Sequence, residues 1–198
     1  MDKIKLGVLV GGTSIEREVS KKSCENLLAN LDENKYEITV YHLPADGNTE
    51  WAKNIISNPP QIVLSALHGG NGENGSIQGF LHCLNIPYIG SKVLSSAICM
   101  NKAMAKTVMK ANHIQVPDHV FVMRGVDFSQ YEESIKLMGF PLIIKPNRGG
   151  SSIGVIVARN MEDIHYGIKN IIETYDDDVL IEKFIDGKEI NCCSEYCH

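Results

Sequence analysis

The stretch KPNRGGSSIG, residues 145–154, joins two apolar runs, FPLII (140–144) and VIVA (155–158). Each run is short and rich in aliphatic or aromatic residues, so each predicts a buried β-strand. The ten residues between the runs include three glycines and two serines. A P-loop would need the pattern GxxxxGK[ST] and a following helix, whereas a strand follows here. The stretch therefore predicts a hairpin whose connecting loop can close over a ligand.

The residue types in this loop are typical of a phosphate site. Lys145 ends an apolar strand, so its ammonium is held at a fixed point as a compact charge for phosphate oxygens. Gly149 and Gly150 permit close approach, and Ser151 and Ser152 add hydroxyl and amide donors. The alternative is a solvated, mobile hairpin that binds nothing.

The rest of the second half alternates helices and strands. Residues 101–114 predict an apolar-striped helix with Asn101 as its N-cap, and further patterns predict strands at 119–123 and 179–184 and helices at 130–138 and 162–174. Strands that pair across a glycine loop favour an α+β arrangement. The strand end at Glu182, Lys183 and Phe184 offers a carboxylate, a backbone edge and an apolar surface, which suits an adenine, although such a pair of charges is usually plain surface.

The first half has a different rhythm, and it predicts a Rossmann-like α/β lobe. Strands are predicted at 5–10, 36–43 and 61–67, with helices at 16–31, 51–56, 76–84 and 92–100. Strands and helices that alternate over short connections favour a parallel sheet covered by helices. The dinucleotide fingerprint GxGxxG is absent. We place a domain boundary near residue 100.

Two more glycine-rich stretches follow predicted strands, at the edge where open α/β sheets bind ligands. In GGTSIEREVS (11–20) the glycines permit a sharp turn, Thr13 and Ser14 can cap the next helix, and Glu16 either caps that helix or receives a substrate ammonium. HGGNGENGSIQG (68–79) exposes backbone N–H groups and predicts an anion seat. His68 either donates to a substrate carboxylate or is a structural hydrogen-bonding residue.

Composition limits the partners of this protein. The chain has 43% hydrophobic and 22% charged residues and a formal charge of -5, without a basic run, which argues against a nucleic-acid surface. No apolar run approaches a membrane span, and the N-terminus MDKIKLGVLVGG does not resemble a signal peptide, so we expect a cytoplasmic protein with small-molecule partners.

The six cysteines are expected to be reduced. Cys24, Cys83 and Cys99 lie singly in apolar helical patterns, where cysteine usually behaves as a small buried hydrophobe. The tail INCCSEYCH resembles a zinc-ligand set only superficially, because its spacing matches no usual pattern. Its candidate ligands would be Cys192, Cys193, Cys197 and His198.

Five motifs occur in an order and spacing that resemble the D-alanine:D-alanine ligase family of ATP-grasp enzymes: GGTSIEREVS, ALHGGNGENGSIQG, the MNK of 100–102, IIKPNRGGSSIG and LIEKF. The resemblance runs from about residue 4 to about residue 191. It implies an N-terminal α/β lobe of the pre-ATP-grasp type (1–100), an α+β ATP-grasp central lobe (101–188) and the truncated start of a C-terminal lobe (189–198). The remainder of that last lobe is absent from the sequence.

The resemblance also implies roles for particular residues. Glu16 would hold the ammonium of the first D-alanine and contact Ser151, both as catalytic residues, and His68 would lie near the carboxylate that is activated. ATP would be bound through its phosphates, adenine and ribose by Lys102, Lys145, Ser151, Ser152, Glu182, Lys183, Phe184, Ile185 and Glu189. No metal ligand is expected within this chain, because the family's Mg²⁺ ligands belong to the C-terminal lobe.

The implied reaction is the ATP-dependent joining of two D-alanines through an acyl phosphate, a step in peptidoglycan and cell-wall synthesis that maintains cell shape. Association into a homodimer through the first lobe is common in the family. From the missing lobe we expect an incomplete chain with little or no ligase activity. The alternatives are a D-alanine:D-lactate or D-alanine:D-serine ligase, and a non-catalytic nucleotide-binding fragment.

Overall fold

A computed structural model describes residues 2–190 of the 198-residue chain. The described residues form two compact units, here called the first unit (2–113 and 147–153) and the second unit (114–146 and 154–190). The loop of residues 147–153 therefore belongs to the first unit, although the strands that flank it belong to the second. The predicted domains, 1–100, 101–188 and 189–198, stay a prediction, because compact packing alone does not define a domain.

The first unit is a parallel sheet with helices. Its elements in chain order are β1 (Ile4–Gly11), α1 (Arg17–Asn30), β2 (Tyr36–Leu43), α2 (Glu50–Ser57), β3 (Ile62–Ser65), α3 (Gly70–Glu73), α4 (Ser76–Cys83), β4 (Tyr88–Ile89), α5 (Val93–Met100) and α6 (Lys102–Ala111). The strands lie in the order β2-β1-β3-β4, and all three pairings are parallel. The predicted parallel α/β sheet is confirmed.

Strand β1 is an inner strand of the sheet, and its side chains are buried on both faces. Val8 and Val10 pack with Cys24 of α1 on one face, while Leu9 packs with Ile55 of α2 and Leu81 of α4 on the other. A parallel strand that is covered on both sides needs such a continuous apolar run, which is what the sequence of β1 provides. The carboxyl ends of β1 and β3 then open into the two glycine-rich stretches.

Two short elements of the first unit were not predicted. Residues 86–91, expected to be a plain connection, contain the two-residue strand β4, which pairs only with β3. The stretch after His68 contains the single-turn helix α3. Neither element is long enough to show a periodicity in the sequence. Helix α1 also begins at Arg17, one residue later than predicted.

The second unit is an antiparallel sheet with two helices. Its elements are β5 (His119–Val122), α7 (Ser129–Met138), β6 (Leu142–Pro146), β7 (Ile156–Ala158), α8 (Met161–Tyr175) and β8 (Val179–Lys183). The strand order is β5-β8-β6-β7, with all pairs antiparallel. Strands β6 and β7 are the two halves of the hairpin predicted from the opening stretch.

Helix α8 covers this sheet with an apolar stripe. Ile164, Gly167, Ile168 and Ile171 are its buried residues, at the spacing of one helix face. A Cβ at Gly167 would lie 2.5 Å from Cδ1 of Ile144 on β6, so any larger residue there would require the Ile144 side chain to shift. The core of the second unit consists of this stripe, Ile135 of α7 and the buried faces of β5, β6, β7 and β8.

The prediction for the cysteines is partly wrong. Cys24 is buried in α1, and burial raises the pKa of its thiol, but Cys83 and Cys99 are exposed. The buried residues of their helices are Ile77 and Leu81 in α4 and Ser96 in α5, so an apolar neighbourhood in sequence did not mean burial. All three are free thiols. The tail residues Cys192, Cys193, Cys197 and His198 lie outside the described residues. Among the helices of residues 2–190, none is long and apolar enough to cross a membrane.

Candidate functional site

The turn after β1 is fixed by backbone hydrogen bonds. Gly11 N–H donates to Oγ of the buried Ser20 at 2.8 Å, and Gly12 N–H donates to the Leu43 carbonyl at 2.7 Å. Gly11 has φ +96°, and a Cβ there would lie 2.5 Å from the Leu43 oxygen. The turn therefore requires glycine. It delivers the chain to the start of α1 with residue Glu16 in the N-cap position.

The side chain of Glu16 does not cap α1. No side-chain capping bond is made at this position, and Ser14 Oγ instead accepts from the Glu16 backbone N–H at 3.1 Å. Oε1 of Glu16 accepts a hydrogen bond from Ser151 Oγ at 2.5 Å. Neither Glu16 nor Ser14 therefore caps α1 through its side chain. The Glu16 carboxylate is instead directed toward the loop of residues 147–153.

All three glycine-rich stretches meet around this carboxylate, within the first unit. A Cβ at Gly69 would lie only 2.4 Å from Glu16 Oε2 and 2.6 Å from Ser14 Oγ. A Cβ at Gly150 would lie 3.6 Å from the same Oε2. At Gly69 the absence of a side chain lets the backbone approach the carboxylate, whereas the distance at Gly150 is an ordinary contact. The structure therefore brings together Glu16, the stretch after His68 and the loop of residues 147–153, here called the serine loop, which are far apart in sequence.

The imidazole of His68 lies between two polar side chains of the first unit. Its Nε2 is 2.8 Å from Ser23 Oγ on α1, and its Nδ1 is 3.8 Å from Oε1 of Glu73 on α3. The Nδ1–Glu73 distance is longer than a hydrogen bond, and the donor and acceptor roles between His68 and Ser23 depend on the tautomer of the ring. The ring thus has a hydrogen-bond partner in Ser23 and a carboxylate nearby in Glu73, two residues that were not predicted.

A cavity of about 130 Å³ lies next to His68. Its lining combines the glycine turn after β1, the segment after β2 and the stretch after β3, and includes Thr13, Leu43, Asn48, Trp51 and His68. The cavity is thus placed at the carboxyl edge of the parallel sheet, where the sequence predicted a binding site.

Lys102 begins α6, and its contacts are with the serine loop. Its ammonium donates to the carbonyls of Gly149 and of Asn147, the latter at 3.4 Å. Its backbone N–H donates to the Asn147 carbonyl at 3.1 Å. Asn101 is the N-cap of α6, as predicted, since its side chain accepts from Met104 N–H.

The two serines of the loop have a backbone that serine rarely adopts. Ser151 has φ +50° and Ser152 has φ +58°, both in the left-handed region, and both residues are exposed. Such a conformation costs about 1 kcal/mol or more per residue and persists where the surroundings hold it. The bond from Ser151 to Glu16 is one such restraint.

In the second unit, Lys145 and Glu182 form an ion pair on adjacent strands. Glu182 on β8 lies opposite Ile143 of β6, two residues from Lys145, so both side chains are on the same face of the sheet. The ammonium donates to Oε1 of Glu182, whose side chain is 10% exposed, against 21% for Lys145. The carboxylate is therefore largely removed from water by the sheet and compensated by the lysine.

The remaining predicted residues lie at and after the end of β8. Lys183, Phe184, Ile185 and Glu189 are exposed, with Phe184 at 38% and Ile185 at 66%. The Lys183 N–H donates to the Asp118 carbonyl and the Phe184 N–H to the Pro141 carbonyl. Glu182 is buried rather than on the surface, so the plain-surface alternative does not hold for it.

Mg²⁺ finds no ready ligand set in the described part of the chain. Among residues 2–190, no group of three or more His, Cys, Asp or Glu side chains is placed so that it could hold a metal ion. The carboxylates of the predicted site, Glu16 and Glu182, already accept from Ser151 and Lys145.

Comparison with known proteins identifies the family of this chain. The family model of the D-ala D-ala ligase N-terminus matches residues 49–91, and that of the D-ala D-ala ligase C-terminus matches residues 108–194. The chain belongs to the D-alanine:D-alanine ligase family. The second match contains β6, the serine loop and β8, so the ATP-grasp hairpin belongs to the shared part.

Individual relatives show how far the similarity extends. A D-alanine–D-alanine ligase of Bacillus anthracis is 41% identical over 190 residues, which is 96% of this chain and 60% of the relative. A crystal structure of the B. anthracis ligase complexed with ATP superposes with a TM-score of 0.81 at 35% identity, over 93% of this chain and 60% of that one. The VanG D-Ala:D-Ser ligase of Enterococcus faecalis superposes with a TM-score of 0.80 at 27% identity, over 94% and 64%. The chain thus spans about 60% of the length of the ligases that it matches.

Sequence reasoning missed three residues of the site, namely Ser23, Glu73 and Asn147. Ser23 and Glu73 contact His68, and Asn147 contacts Lys102. Ser23 and Asn147 are distant in sequence from the residues that they contact, whereas Glu73 lies close to His68. The signal that could have found Glu73 is its place inside the glycine-rich stretch. Nothing in the local sequence around Ser23 or Asn147 indicates its partner.

Proposed function

We propose that this chain is the part of a D-alanine:D-alanine ligase that binds the first D-alanine and ATP. The observation that carries the proposal is the hydrogen bond from Ser151 Oγ to Glu16 Oε1, at 2.5 Å. This bond joins a carboxylate that can bind a substrate ammonium group to a loop that can bind phosphate groups. Family membership supplies the reaction, in which ATP activates one D-alanine for attack by the other.

In the first unit, Glu16 and His68 would bind the amino acid. A carboxylate that accepts one hydrogen bond from Ser151 keeps further lone pairs for an ammonium group. The ring of His68 borders the cavity and is oriented by Ser23 and Glu73, so it would be presented to the substrate carboxylate in one orientation.

Candidate ATP-binding residues are assigned within each unit separately. Lys102, Ser151 and Ser152 of the first unit would contact phosphate oxygens, as would Lys145 of the second. The backbone N–H groups of Lys183 and Phe184 already donate within the second unit, so we assign the apolar side chains of Phe184 and Ile185 to the adenine face. Glu182 and Lys183 complete that subsite, and Glu189 would reach the ribose.

The proposed reaction has two steps. A carboxylate oxygen of the first D-alanine forms a bond to the γ-phosphorus while the bond from that phosphorus to ADP breaks, and this gives an acyl phosphate. The amine of the second D-alanine then attacks the acyl carbon, phosphate leaves, and a proton is lost from the amine. Positioning and charge neutralisation by the named residues would supply most of the acceleration. The dipeptide would be used for peptidoglycan synthesis in the cytoplasm. The protein would associate as a homodimer.

The proposal is tested by calorimetry on Glu16→Gln. Glutamine keeps an acceptor for Ser151 but removes the charge, so we expect D-alanine binding to weaken about tenfold or more while ATP binding persists. Glu18→Gln is the matched control, because Glu18 is two residues away on α1 and its carboxylate is bound to Lys21 at 2.7 Å. Equal affinities for D-alanine in the two variants would refute the role of Glu16.

Turnover is a separate question from binding. We expect the 198-residue chain to bind ATP but to release phosphate in response to D-alanine far more slowly than a ligase of full family length, since it spans about 60% of its relatives. Phosphate release at the rate of such a ligase would contradict this part of the proposal.

A D-alanine:D-serine or D-alanine:D-lactate ligase is the second candidate. The D-Ala:D-Ser ligase of E. faecalis superposes on this chain about as well as the B. anthracis ligase does, with TM-scores of 0.80 and 0.81. Shared fold therefore does not decide the second substrate. Competition between D-alanine, D-serine and D-lactate for the acyl phosphate, measured with a ligase of full family length that contains these 198 residues, would separate these activities.

A further inference from the structure

The N-terminus of α6 has every one of its first four backbone N–H groups bound. A helix leaves these four donors without partners in its own backbone ladder. The Lys102 N–H donates to the Asn147 carbonyl at 3.1 Å, and the Ala103 N–H to Oδ1 of Asn147 at 2.9 Å. The Met104 N–H donates to Oδ1 of Asn101 at 3.0 Å, and the N–H of the N-cap Asn101 itself donates to the Ile98 carbonyl at 3.2 Å. Two asparagines thus accept from three of the four donors at this helix end.

Asn147 uses both ends of its side-chain amide in this arrangement. Its Oδ1 accepts from Ala103, and its Nδ2 donates to Oδ1 of Asn101 at 3.0 Å. The residue is fully buried, at 0% exposure. A buried amide with all these bonds has one orientation, because a flipped amide would face Ala103 N–H with a donor. Neither aspartate nor leucine could replace it without losing at least one bond.

This arrangement changes what can bind phosphate here. The end of a helix is commonly an anion seat, because its free N–H groups point at the ligand. At α6 those N–H groups are taken by Asn101, Asn147 and the Ile98 carbonyl. Positive charge at this end is therefore carried by the Lys102 side chain.

Asn147 also contacts that side chain directly. Its carbonyl accepts from the backbone N–H of Lys102 at 3.1 Å and from the Lys102 ammonium at 3.4 Å. The next contact of the ammonium is the Gly149 carbonyl, two residues farther along the same loop. The base of the serine loop and the lysine are thus held to each other through one residue.

We propose that Asn147 is a positioning residue: it holds the serine loop to α6 and sets the place of the Lys102 ammonium for a nucleotide phosphate. This inference rests on the proposed nucleotide-binding function. It assigns to Asn147 no contact with the ligand itself. Its effect on ATP affinity acts through Lys102, and this dependence is what an experiment can measure.

The test is a double-mutant cycle of ATP affinity, measured by calorimetry on folded variants of the 198-residue chain. We expect Asn147→Ala and Lys102→Ala each to weaken ATP binding about tenfold, and the double variant to be no weaker than Lys102→Ala alone. Asn160→Ala is the matched control, since Asn160 caps α8 through a bond from Asp163 N–H at 2.9 Å. That variant should lose stability without losing ATP affinity.

Each other outcome overturns a stated part. The positioning role would be refuted if Asn147→Ala left ATP affinity unchanged, or if the effects of Asn147→Ala and Lys102→Ala were additive in the double variant. Neither result would contradict nucleotide binding itself. Unchanged affinity in Lys102→Ala would refute the nucleotide role of this lysine and the positioning role with it. If Asn147→Ala fails to fold, Asn101→Ala is used in its place, because it removes the acceptor of the Asn147 amide. ATP affinities are then measured for Asn101→Ala, Lys102→Ala and the double variant, and they are interpreted in the same way.

Discussion

The two units hold their candidate site residues in different ways. In the first unit Glu16, His68 and Lys102 lie in loops or at helix ends, and they are held by hydrogen bonds to the Ser151 hydroxyl, the Ser23 hydroxyl and the backbone carbonyl of Asn147, respectively. In the second unit Lys145 and Glu182 project from adjacent strands of one sheet. Loop residues can be reoriented at little cost to the fold, whereas charges within a sheet are part of its stability. Substitutions should therefore affect binding first in one unit and stability first in the other.

The largest effect on stability is expected for Lys145→Met. The substitution removes the lysine from the buried Glu182 carboxylate, and we expect the free energy of unfolding to fall by about 3 kcal/mol in urea titrations. Lys136→Met is the control, because Lys136 pairs with Glu132 at 2.8 Å on the exposed side of α7 and should cost less than about 0.5 kcal/mol. The double variant with Glu182→Met should recover much of the loss. Equal losses in Lys145→Met and Lys136→Met would remove the distinction between the units.

Gly69→Ala should have the next largest effect. The new Cβ would approach Glu16 Oε2 to 2.4 Å in a backbone with φ +65°, so the variant combines strain with displacement of the carboxylate. We expect a loss of about 2 kcal/mol, together with weakened D-alanine binding. Gly47→Ala separates the two causes, since it has φ +76° but its nearest neighbour, Thr13 Cγ2, is 3.9 Å away. We expect Gly47→Ala to lower the free energy of unfolding by about 1 kcal/mol. If it lowered that free energy as much as Gly69→Ala does, backbone strain alone would explain the destabilisation of both variants.

A smaller effect is expected for Ser151→Ala. Loss of the bond to Glu16 should cost less than about 1 kcal/mol, because both groups are partly or fully exposed, but it should raise hydrogen exchange of the loop amides. Ser152→Ala is matched in residue type and in backbone conformation. Faster exchange in both variants, or in neither, would argue against Glu16 as the anchor of the loop.

The smallest effects concern two helix-surface pairs, one in each unit. Hydrogen bonding to Lys21 holds the pKa of Glu18 below its usual value, and Lys136 does the same for Glu132. A carboxylate with a lowered folded-state pKa stabilises the fold above its unfolded pKa, and this is lost as pH falls through the folded value. Glu18→Gln and Glu132→Gln should therefore be slightly less stable than the parent at neutral pH and indistinguishable from it in strong acid. A marked difference between the two variants would show that the units differ at their surfaces as well.

Much of the fold could be predicted because it depends on local pattern. The unbroken apolar run of β1 and the stripe Ile164, Ile168 and Ile171 of α8 gave strand and helix directly. The exceptions were β4 and α3, which are too short to show a period, and Cys83 and Cys99, whose exposure depends on what covers their helices. Of the candidate site, the sequence supplied the residues that carry charge and the glycines around them. Their roles in binding and catalysis stay a prediction.

By itself the sequence determined where strands end and glycines begin, and thereby which edge of the parallel sheet carries the polar residues. It also determined the family, because five ordered motifs span nearly the whole chain. Only the tertiary structure decided that the Glu16 carboxylate accepts from Ser151, that Ser23 and Glu73 orient His68, and that Asn147 occupies the end of α6. Apart from the neighbouring Glu73, these partners are separated by tens of residues or more. Periodicity reports only on a residue's near neighbours, whereas a hydrogen bond depends on where the folded backbone places each atom.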